Sequence, residues 1–134
     1  AVRTGTVDMI ATDHAPHAPA EKAVRFIEAP NGLTGLEWTA AVVNTVIGLD
    51  IDRFFSRMSS APAQMADLAE RHGRRIEPGI PANLVDFDPN TETVARTTLS
   101  KSTNSPYLGK RWRGIVKTTL HNGRITHQAE GGRT

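Results

Sequence analysis

The sequence predicts an α/β chain whose helices come first and whose strands come mostly last, with the change near residue 74. Residues 6–11 form a short apolar run, and the stretch at 36–71 has apolar residues at helical spacing. From Arg75 onward the periodicity becomes that of strands. The 134 residues are enough for one ordinary domain, and we expect a division into parts at 1–74 and 75–134.

The first predicted element is a buried strand at residues 6–11 (TVDMIA), which is rich in apolar and β-branched residues and lies between Gly5 and Pro16. Residues 12–35 contain repeated prolines and glycines, so we expect a long loop with one short helix at 21–27. A loop of this length in a compact domain is usually functional or disordered, and its apolar content argues against disorder.

Three helices are predicted after the loop, at residues 36–47, 51–59 and 61–71. The first should end at Gly48. For the last helix we expect Ser60 as the N-cap, Pro62 in the first turn and termination at Gly73.

Three strands are predicted in the second part, at residues 83–88, 115–120 and 124–127. The letters HNGR at 121–124 contain an Asn-Gly pair, which is typical of a two-residue hairpin turn. Residues 129–134 (AEGGRT) have the composition of a frayed tail.

The composition narrows the classes of function. Sixteen basic and fourteen acidic residues leave a formal charge of +2, and the scattered charges predict neither a nucleic-acid nor a membrane surface. Because there is no cysteine, any metal must be held by histidine and carboxylate. The chain opens on Ala1 without an export signal, so we expect part of a larger cytoplasmic protein.

Titratable side chains are concentrated in IATDHAPHAP, residues 10–19, which contains one aspartate and two histidines. Asp13 follows the predicted strand, at a position where α/β proteins place metal ligands and proton carriers. Pro16 prevents a regular helix, so His17 can fold back over the strand end. The alternative is that Asp13 only caps a turn and that the histidines are surface residues. His14 should point to the opposite face from Asp13 and have a structural role.

A series of motifs carries a resemblance that covers nearly the whole chain. In order, these are DMIATDHAPH, EK at 21–22, EAPNGLTGLE at 28–37, SSAPAQMADL at 59–68, IEPGIPANLVDFDP at 76–89 and SKSTNSPYLGKRWRGIVKTTLHNGRI at 100–125. Together they resemble the carboxy-terminal third of a class I dihydroorotase, in the cyclic amidohydrolase superfamily. The element at residues 79–85 is shared by the wider superfamily, whereas TDHAPH is more specific.

The resemblance implies an α/β fold, the carboxy-terminal part of a metal-dependent (β/α)8 TIM barrel plus part of a small β-sandwich. On that map residues 6–13 are the eighth barrel strand and residues 36–71 the closing helices. Residues 75–127 are then part of the sandwich. The boundary agrees with the change of periodicity near residue 74.

The resemblance also implies a reaction, the zinc-dependent interconversion of N-carbamoyl-L-aspartate and dihydroorotate in pyrimidine synthesis. One or two zinc ions would lower the pKa of a bound water to about 7 and polarise the amide carbonyl. By resemblance Asp13 contacts a zinc and moves the proton, while His17 contacts the substrate's carboxylate. Asn31 and Gly32 match a pair whose backbone contacts the substrate, although Asn31 replaces a larger, usually apolar residue.

Other residues are assigned no catalytic role. Lys22 is expected to be solvated or in a salt bridge. Trp38 and Trp112 should be core or interface aromatics, and His72, His121 and His127 are expected to lie away from the site.

The remaining metal ligands would precede Ala1, so this chain alone should bind zinc poorly and lack activity. The implied partner is a small-molecule substrate; a homo-oligomer and a complex with another pyrimidine-pathway enzyme both stay open.

Two alternatives remain at this stage. A hydantoinase or allantoinase would look similar up to the Asp-His pair but usually carries a different residue where this chain has His17. A non-catalytic dihydroorotase-like scaffold would be expected to lose metal ligands first, and the retention of Asp13 and His17 disfavours it.

Overall fold

The computed structural model describes residues 1–129, so the predicted tail lies outside the described residues except for Ala129. From residue 36 onward helices precede strands, as the sequence predicts. The helical elements are α1 (Pro19–Lys22), α2 (Thr39–Val46), α3 (Ile51–Phe55), a π-helical turn (Ser56–Ser60) and α4 (Ala61–Met65). The strands are β1 (Leu84–Val94), β2 (Arg111–His121) and β3 (Arg124–Gln128). Within residues 1–129 no helix is long and apolar enough to cross a membrane.

The predicted buried strand at residues 6–11 is not formed, which corrects the sequence prediction. These residues have no regular secondary structure, and Val7 is 38% exposed. Ile10 donates its N–H to the carbonyl of Arg57 at 3.0 Å. A strand needs a neighbouring strand to pair with, and among residues 1–129 none lies beside this segment.

The loop after this segment is long, as predicted, but its helix is shorter and earlier than expected. Helix α1 ends at Lys22 instead of continuing to residue 27. Pro19 opens α1, and the N–H of Ala18 donates to the carboxylate of Glu21 at 2.8 Å. An isolated parallel bridge joins His14 to Leu33 across the loop.

The three predicted helices are rearranged. Helix α2 begins at Thr39, three residues later than predicted. The second and third helices form one continuous helical segment from Ile51 to Met65, so the predicted boundary at Ser60 is wrong. Ser60 has helical φ and ψ of −68° and −45° and its side chain caps nothing. The segment's actual N-cap is Asp50, and residues 66–71 are not helical.

A π-helical turn explains why Pro62 does not break this segment. Proline has no N–H to donate to the carbonyl four residues earlier, and its ring crowds that carbonyl. In the preceding turn the N–H of Ala61 donates to Ser56, five residues back. The wider turn accommodates the proline, so the helix continues through it.

The strands form one antiparallel sheet in the order β1-β2-β3. All three are longer than predicted, and in the β1–β2 pair Leu84 lies opposite Leu120. The predicted Asn-Gly hairpin turn is confirmed: Asn122 and Gly123 have φ of 48° and 77°. Two consecutive positive φ values define a type I′ turn, whose twist matches that of the strands it joins.

Helix α2 packs directly on the sheet. The side chain of Asn44 is buried at 5% exposure and donates to the carbonyls of Pro89 at 2.9 Å and Arg113 at 2.6 Å. The rings of Phe54 and Phe87 stack at 4.8 Å between centroids. The helical part and the sheet are therefore held together by a hydrogen-bonded polar contact and an aromatic pair.

Candidate active site

Asp13 lies directly before the His14–Leu33 bridge, on the long loop. Its φ is +44°, in the left-handed region that aspartate adopts more readily than most residues. The residue is exposed, and among residues 1–129 its carboxylate takes part in no hydrogen bond or ion pair. The carboxylate is thus available to bind a ligand.

The described residues do not complete a metal site around Asp13. No group of three or more histidine or carboxylate side chains within residues 1–129 is placed to hold an ion. Zinc takes four ligands, of which a catalytic site supplies three from the protein. Asp13 fits the role of one such ligand, but the described part of the chain cannot supply the full set.

His14 is held by backbone groups. Its Nδ1 accepts hydrogen bonds from the N–H groups of Gly35 and Leu36, each at 3.2 Å. Nδ1 must therefore carry a lone pair and no proton. The contacts support the predicted structural role, because they tie the strand-like segment to the far side of the loop.

His17, Asn31 and Gly32 come together, although fourteen residues separate the first two. The Nε2 of His17 lies 2.9 Å from the carbonyl oxygen of Asn31. A carbonyl only accepts, so Nε2 carries the proton in this contact. The Nδ1 of His17 faces the carboxylate of Glu21 at 3.7 Å, and the His17 side chain is 23% exposed.

Gly32 makes this approach possible. It has φ of +108°, a conformation that side chains with a Cβ rarely adopt. A Cβ at this position would lie 2.4 Å from the Cβ of Ala15 and 3.6 Å from the Nε2 of His17. The two sides of the loop can lie this close only because residue 32 has no side chain.

Lys22 bridges the same part of the loop. Its Nζ donates to the carbonyls of Pro30 at 2.7 Å and Gly32 at 2.8 Å. The sequence predicted a solvated lysine or a salt bridge, and neither describes these contacts. Lys22 instead anchors the backbone that leads through Asn31.

A cavity of about 300 Å³ adjoins this cluster. It is lined by His17, Pro19, Lys22, Ala23, Thr103 and Asn104. The sequence assigned no role to the last two residues. They belong to SKSTNSP at 100–106, a mostly polar run without helix or strand periodicity, and this pattern is the only signal in the sequence that could have indicated a loop here.

The remaining histidines and tryptophans have structural contacts. The rings of His72 and His121 stack at 6.4 Å between centroids. Trp38 donates its indole N–H to the carbonyl of Thr97 at 3.3 Å, and Trp112 donates to Tyr107 at 3.1 Å. Both tryptophans are half-buried, which fits packing positions better than ligand platforms.

No family model matches the chain. It is 39% identical to a curated dihydroorotase from Clostridium acetobutylicum and 38% identical to one from Desulforapulum autotrophicum, each over 96% of this chain. A solved D-hydantoinase (dihydropyrimidinase) from Thermus sp. is 25% identical, with a TM-score of 0.82 over 95% of this chain. The chain spans 31% and 30% of the lengths of the two curated relatives, and 30% of the solved chain.

Proposed function

We propose that this chain, a homologue of the dihydroorotases over 96% of its length, supplies part of the active site of a dihydroorotase. The reaction would be the reversible cyclisation of N-carbamoyl-L-aspartate to dihydroorotate, as a step in pyrimidine synthesis. The observation that carries the proposal is that the Asp13 carboxylate, which has no hydrogen bond or ion pair among residues 1–129, lies on the loop where His17, Asn31 and Gly32 meet. On this proposal a proton carrier and a group that binds a carboxylate would lie on the same loop.

The choice between dihydroorotase and hydantoinase rests on two observations. The two curated dihydroorotases named above are 39% and 38% identical to this chain, compared with 25% for the D-hydantoinase, part of whose fold the chain shares. Dihydroorotate also carries a carboxylate that unsubstituted hydantoin lacks. For His17 to bind that carboxylate, the carboxylate would replace the carbonyl of Asn31 as the acceptor of the Nε2 proton, an exchange that is favoured because hydrogen bonds to an ionised acceptor are among the stronger ones.

In the proposed reaction Asp13 transfers the proton. Ring opening needs a base to take a proton from water and deliver it to the leaving ring nitrogen, and a carboxylate can do both steps in turn. An asparagine of the same shape can do neither. His17 and the backbone at Asn31 and Gly32 would bind the carboxylate of the substrate. The amide carbonyl of the substrate ring would then face Asp13.

Bound zinc, as one or two ions, would supply an activated water and polarise the carbonyl. Asp13 would be one ligand, and the others would come from parts of the intact protein beyond residues 1–129. We further propose that residues 1–74 form the last strand, substrate loop and closing helices of a TIM barrel. In that architecture residues 6–13 would gain the strand neighbours that the described residues do not provide.

We assign residues 75–134 to the carboxy-terminal share of a β-sandwich. The proposed partner is the small-molecule substrate, and the proposed location is the cytoplasm.

The test is turnover by the intact protein that contains this chain. We expect zinc-dependent ring opening of dihydroorotate, in preference to hydantoin and allantoin. Asp13→Asn should lower kcat by about 10²- to 10⁴-fold, the usual contribution of a general acid–base group. Asp52→Asn, at an exposed carboxylate on α3, is the matched control and should leave kcat unchanged.

Preference for hydantoin or allantoin would instead favour a related cyclic amidohydrolase. A folded, metal-bound protein without turnover of any of the three substrates would indicate a scaffold. Full activity in Asp13→Asn would rule out the role given to Asp13.

A further inference from the structure

Residues 98–104 form a segment, here named the clasp, that runs from Glu37, just before α2, to the loop at residues 12–35, here called the substrate loop. The carboxylate of Glu37 binds the amino-terminal end of the clasp. That carboxylate accepts from the N–H of Leu99 at 2.5 Å, from the N–H of Ser100 at 2.9 Å and from the hydroxyl of Thr98. Three donors on one carboxylate fix the start of the clasp next to α2.

The other end of the clasp is Asn104, whose carboxamide contacts both sides of the substrate loop. Its Nδ2 lies 3.4 Å from the carbonyl of Ala15 and 3.4 Å from the carbonyl of Gly32. Its Oδ1 accepts from the N–H of His17 at 3.4 Å. The backbone carbonyl of Asn104 also accepts from the N–H of Thr34 at 3.1 Å.

Ser102 supports this arrangement from within the clasp. It is buried at 5% exposure, and its hydroxyl lies 2.5 Å from the carbonyl of His17 and within bonding distance of the Oδ1 of Asn104. The hydroxyl has one proton and donates to one of these acceptors at a time. Both the N–H and the C=O of His17 are thereby bound by the clasp.

We propose that Asn104 is a positioning residue that sets the separation between His17 and Gly32 for substrate binding. This inference rests on the proposed function, in which those two residues contact the substrate's carboxylate. The hydrogen bonds of Asn104 to these two residues go to backbone groups, so in this proposal it acts through them. Asn104 lies 72 and 87 positions along the chain from these two residues, and its hydrogen bonds add to those that join the two sides of the loop directly, from His17 Nε2 to the carbonyl of Asn31 and from the N–H of Ala15 to the carbonyl of Leu33.

An amide is suited to this position because it donates from one atom and accepts at the other. Leucine has a similar shape but offers neither a hydrogen-bond donor nor an acceptor. Without the amide, binding substrate would have to order the loop first, and that cost lowers apparent affinity. Chemistry in the bound complex would be little changed, because Asp13 is not among the contacts of Asn104.

The experiment uses the intact enzyme with Asn104→Leu and the matched control Ser105→Ala. Ser105 lies next to Asn104, and within residues 1–129 its hydroxyl accepts only from the N–H of Tyr107, away from the loop. We expect Asn104→Leu to raise KM for dihydroorotate about tenfold or more while kcat changes less than about threefold, consistent with losing one to three hydrogen bonds. Ser105→Ala should leave KM unchanged.

Hydrogen exchange provides a second readout that does not depend on activity. We expect faster exchange in Asn104→Leu for a peptide containing Ala15 and His17, and no change in a peptide from the β2–β3 hairpin. If Asn104→Leu does not fold, Ser102→Ala should show the same pattern with a smaller change.

A lower melting temperature with unchanged KM would overturn the proposal and leave Asn104 a purely structural residue. An equal rise of KM in Ser105→Ala would also overturn it. If the unmodified intact protein does not turn over dihydroorotate, the proposed function has failed. The clasp is then judged by exchange at His17, where acceleration in Asn104→Leu supports its hold on the loop and no acceleration refutes it.

Discussion

Gly32 and Asn104 have the same neighbour, Ala15. Nδ2 of Asn104 reaches the carbonyl of Gly32, while the missing Cβ of Gly32 leaves room for Ala15. His17 then meets Asn31 on the same side of the loop. At the scale of single residues, the candidate site consists of backbone segments that lie close together with few side chains between them.

Gly32→Ala should therefore weaken both the loop and the binding of substrate. The substitution forces a Cβ to within 2.4 Å of Ala15 and places alanine at a φ of +108°. We expect a loss of about 1–3 kcal/mol in the free energy of unfolding, typical of such backbone strain, and a rise in KM. Chemical denaturation and steady-state kinetics of the intact enzyme would measure the two effects.

Gly79→Ala is the matched control for this prediction. Gly79 has φ of +86°, but no atom lies within 4 Å of the Cβ it would gain. Alanine at position 79 would therefore have the strained backbone conformation but no steric clash. Equal KM values for the two variants would show that the clash with Ala15 does not matter for binding.

Strand β1 is interrupted between Asp88 and Glu92, where the register with β2 shifts. The carboxylate of Asp88 accepts from the N–H of Asn90 at 2.9 Å and from the hydroxyl of Thr91 at 2.8 Å. Lys117 on β2 places its Nζ 3.1 Å from the same carboxylate. The N–H of Asn90, then the hydroxyl of Thr91 and Lys117, hold the pKa of Asp88 well below its usual range.

Asp88→Asn should destabilise the protein in a pH-dependent way. Because the folded-state pKa is lowered, the carboxylate's contribution is fully present above the unfolded-state pKa of about 4 and is lost as the pH falls below it. The gap in melting temperature between the variant and the unmodified protein should thus be constant from about pH 8 to 5 and shrink below about pH 4. Thermal unfolding across this pH range would measure it.

Asp86→Asn provides the comparison for the same strand. Asp86 is exposed, and among residues 1–129 its carboxylate makes no ion pair or hydrogen bond. Its replacement should change the melting temperature little at any pH. A gap for Asp88→Asn that did not shrink in acid would argue against a charged carboxylate as the stabilising group.

The helical segment from Ile51 to Met65 shows how elements can be predicted in kind but not in extent. Apolar spacing predicted helix on both sides of Ser60. Serine followed by an early proline is also a common helix start, so the pattern suggested a boundary there. Because of the π-helical turn, the helix continues past Ser60 without a boundary. The hydrogen bonds of this turn depend on backbone geometry, which side-chain periodicity does not encode.

At the scale of the whole molecule, few side chains among residues 1–129 are fully buried. The buried apolar residues are Ala41, Val43, Phe54, Ala63 and Ala95, whereas Phe26 and Leu99 are more than 90% exposed. The charge of +2 gives no strong field. The described residues also contain no group of three or more side chains that could hold a metal ion. Both observations agree with the proposal that these residues act as part of an enzyme only together with contacts beyond their own.

The isolated 134-residue chain should therefore bind zinc weakly and show no ring opening of dihydroorotate. One carboxylate at the site cannot replace a set of three protein ligands. Calorimetric titration with zinc should give the same weak binding for the chain and for its Asp13→Asn variant. Zinc-dependent turnover by the chain, lost in that variant, would contradict this prediction.

The sequence by itself determined the order of helices and strands and the hairpin at Asn122 and Gly123. These features depend on side-chain periodicity and on the φ preferences of adjacent residues, which are local. Resemblance of motifs singled out Asp13 and His17, whose side chains stand where a ligand can reach them, but their roles stay predictions.

Only the tertiary structure decided which distant residues meet. Asn104 reaches Ala15 across 89 positions of the sequence, and residues 6–11 do not become a strand without a partner. No local pattern encodes either result, because a hydrogen bond between distant segments and the pairing of a strand both depend on where the rest of the chain lies.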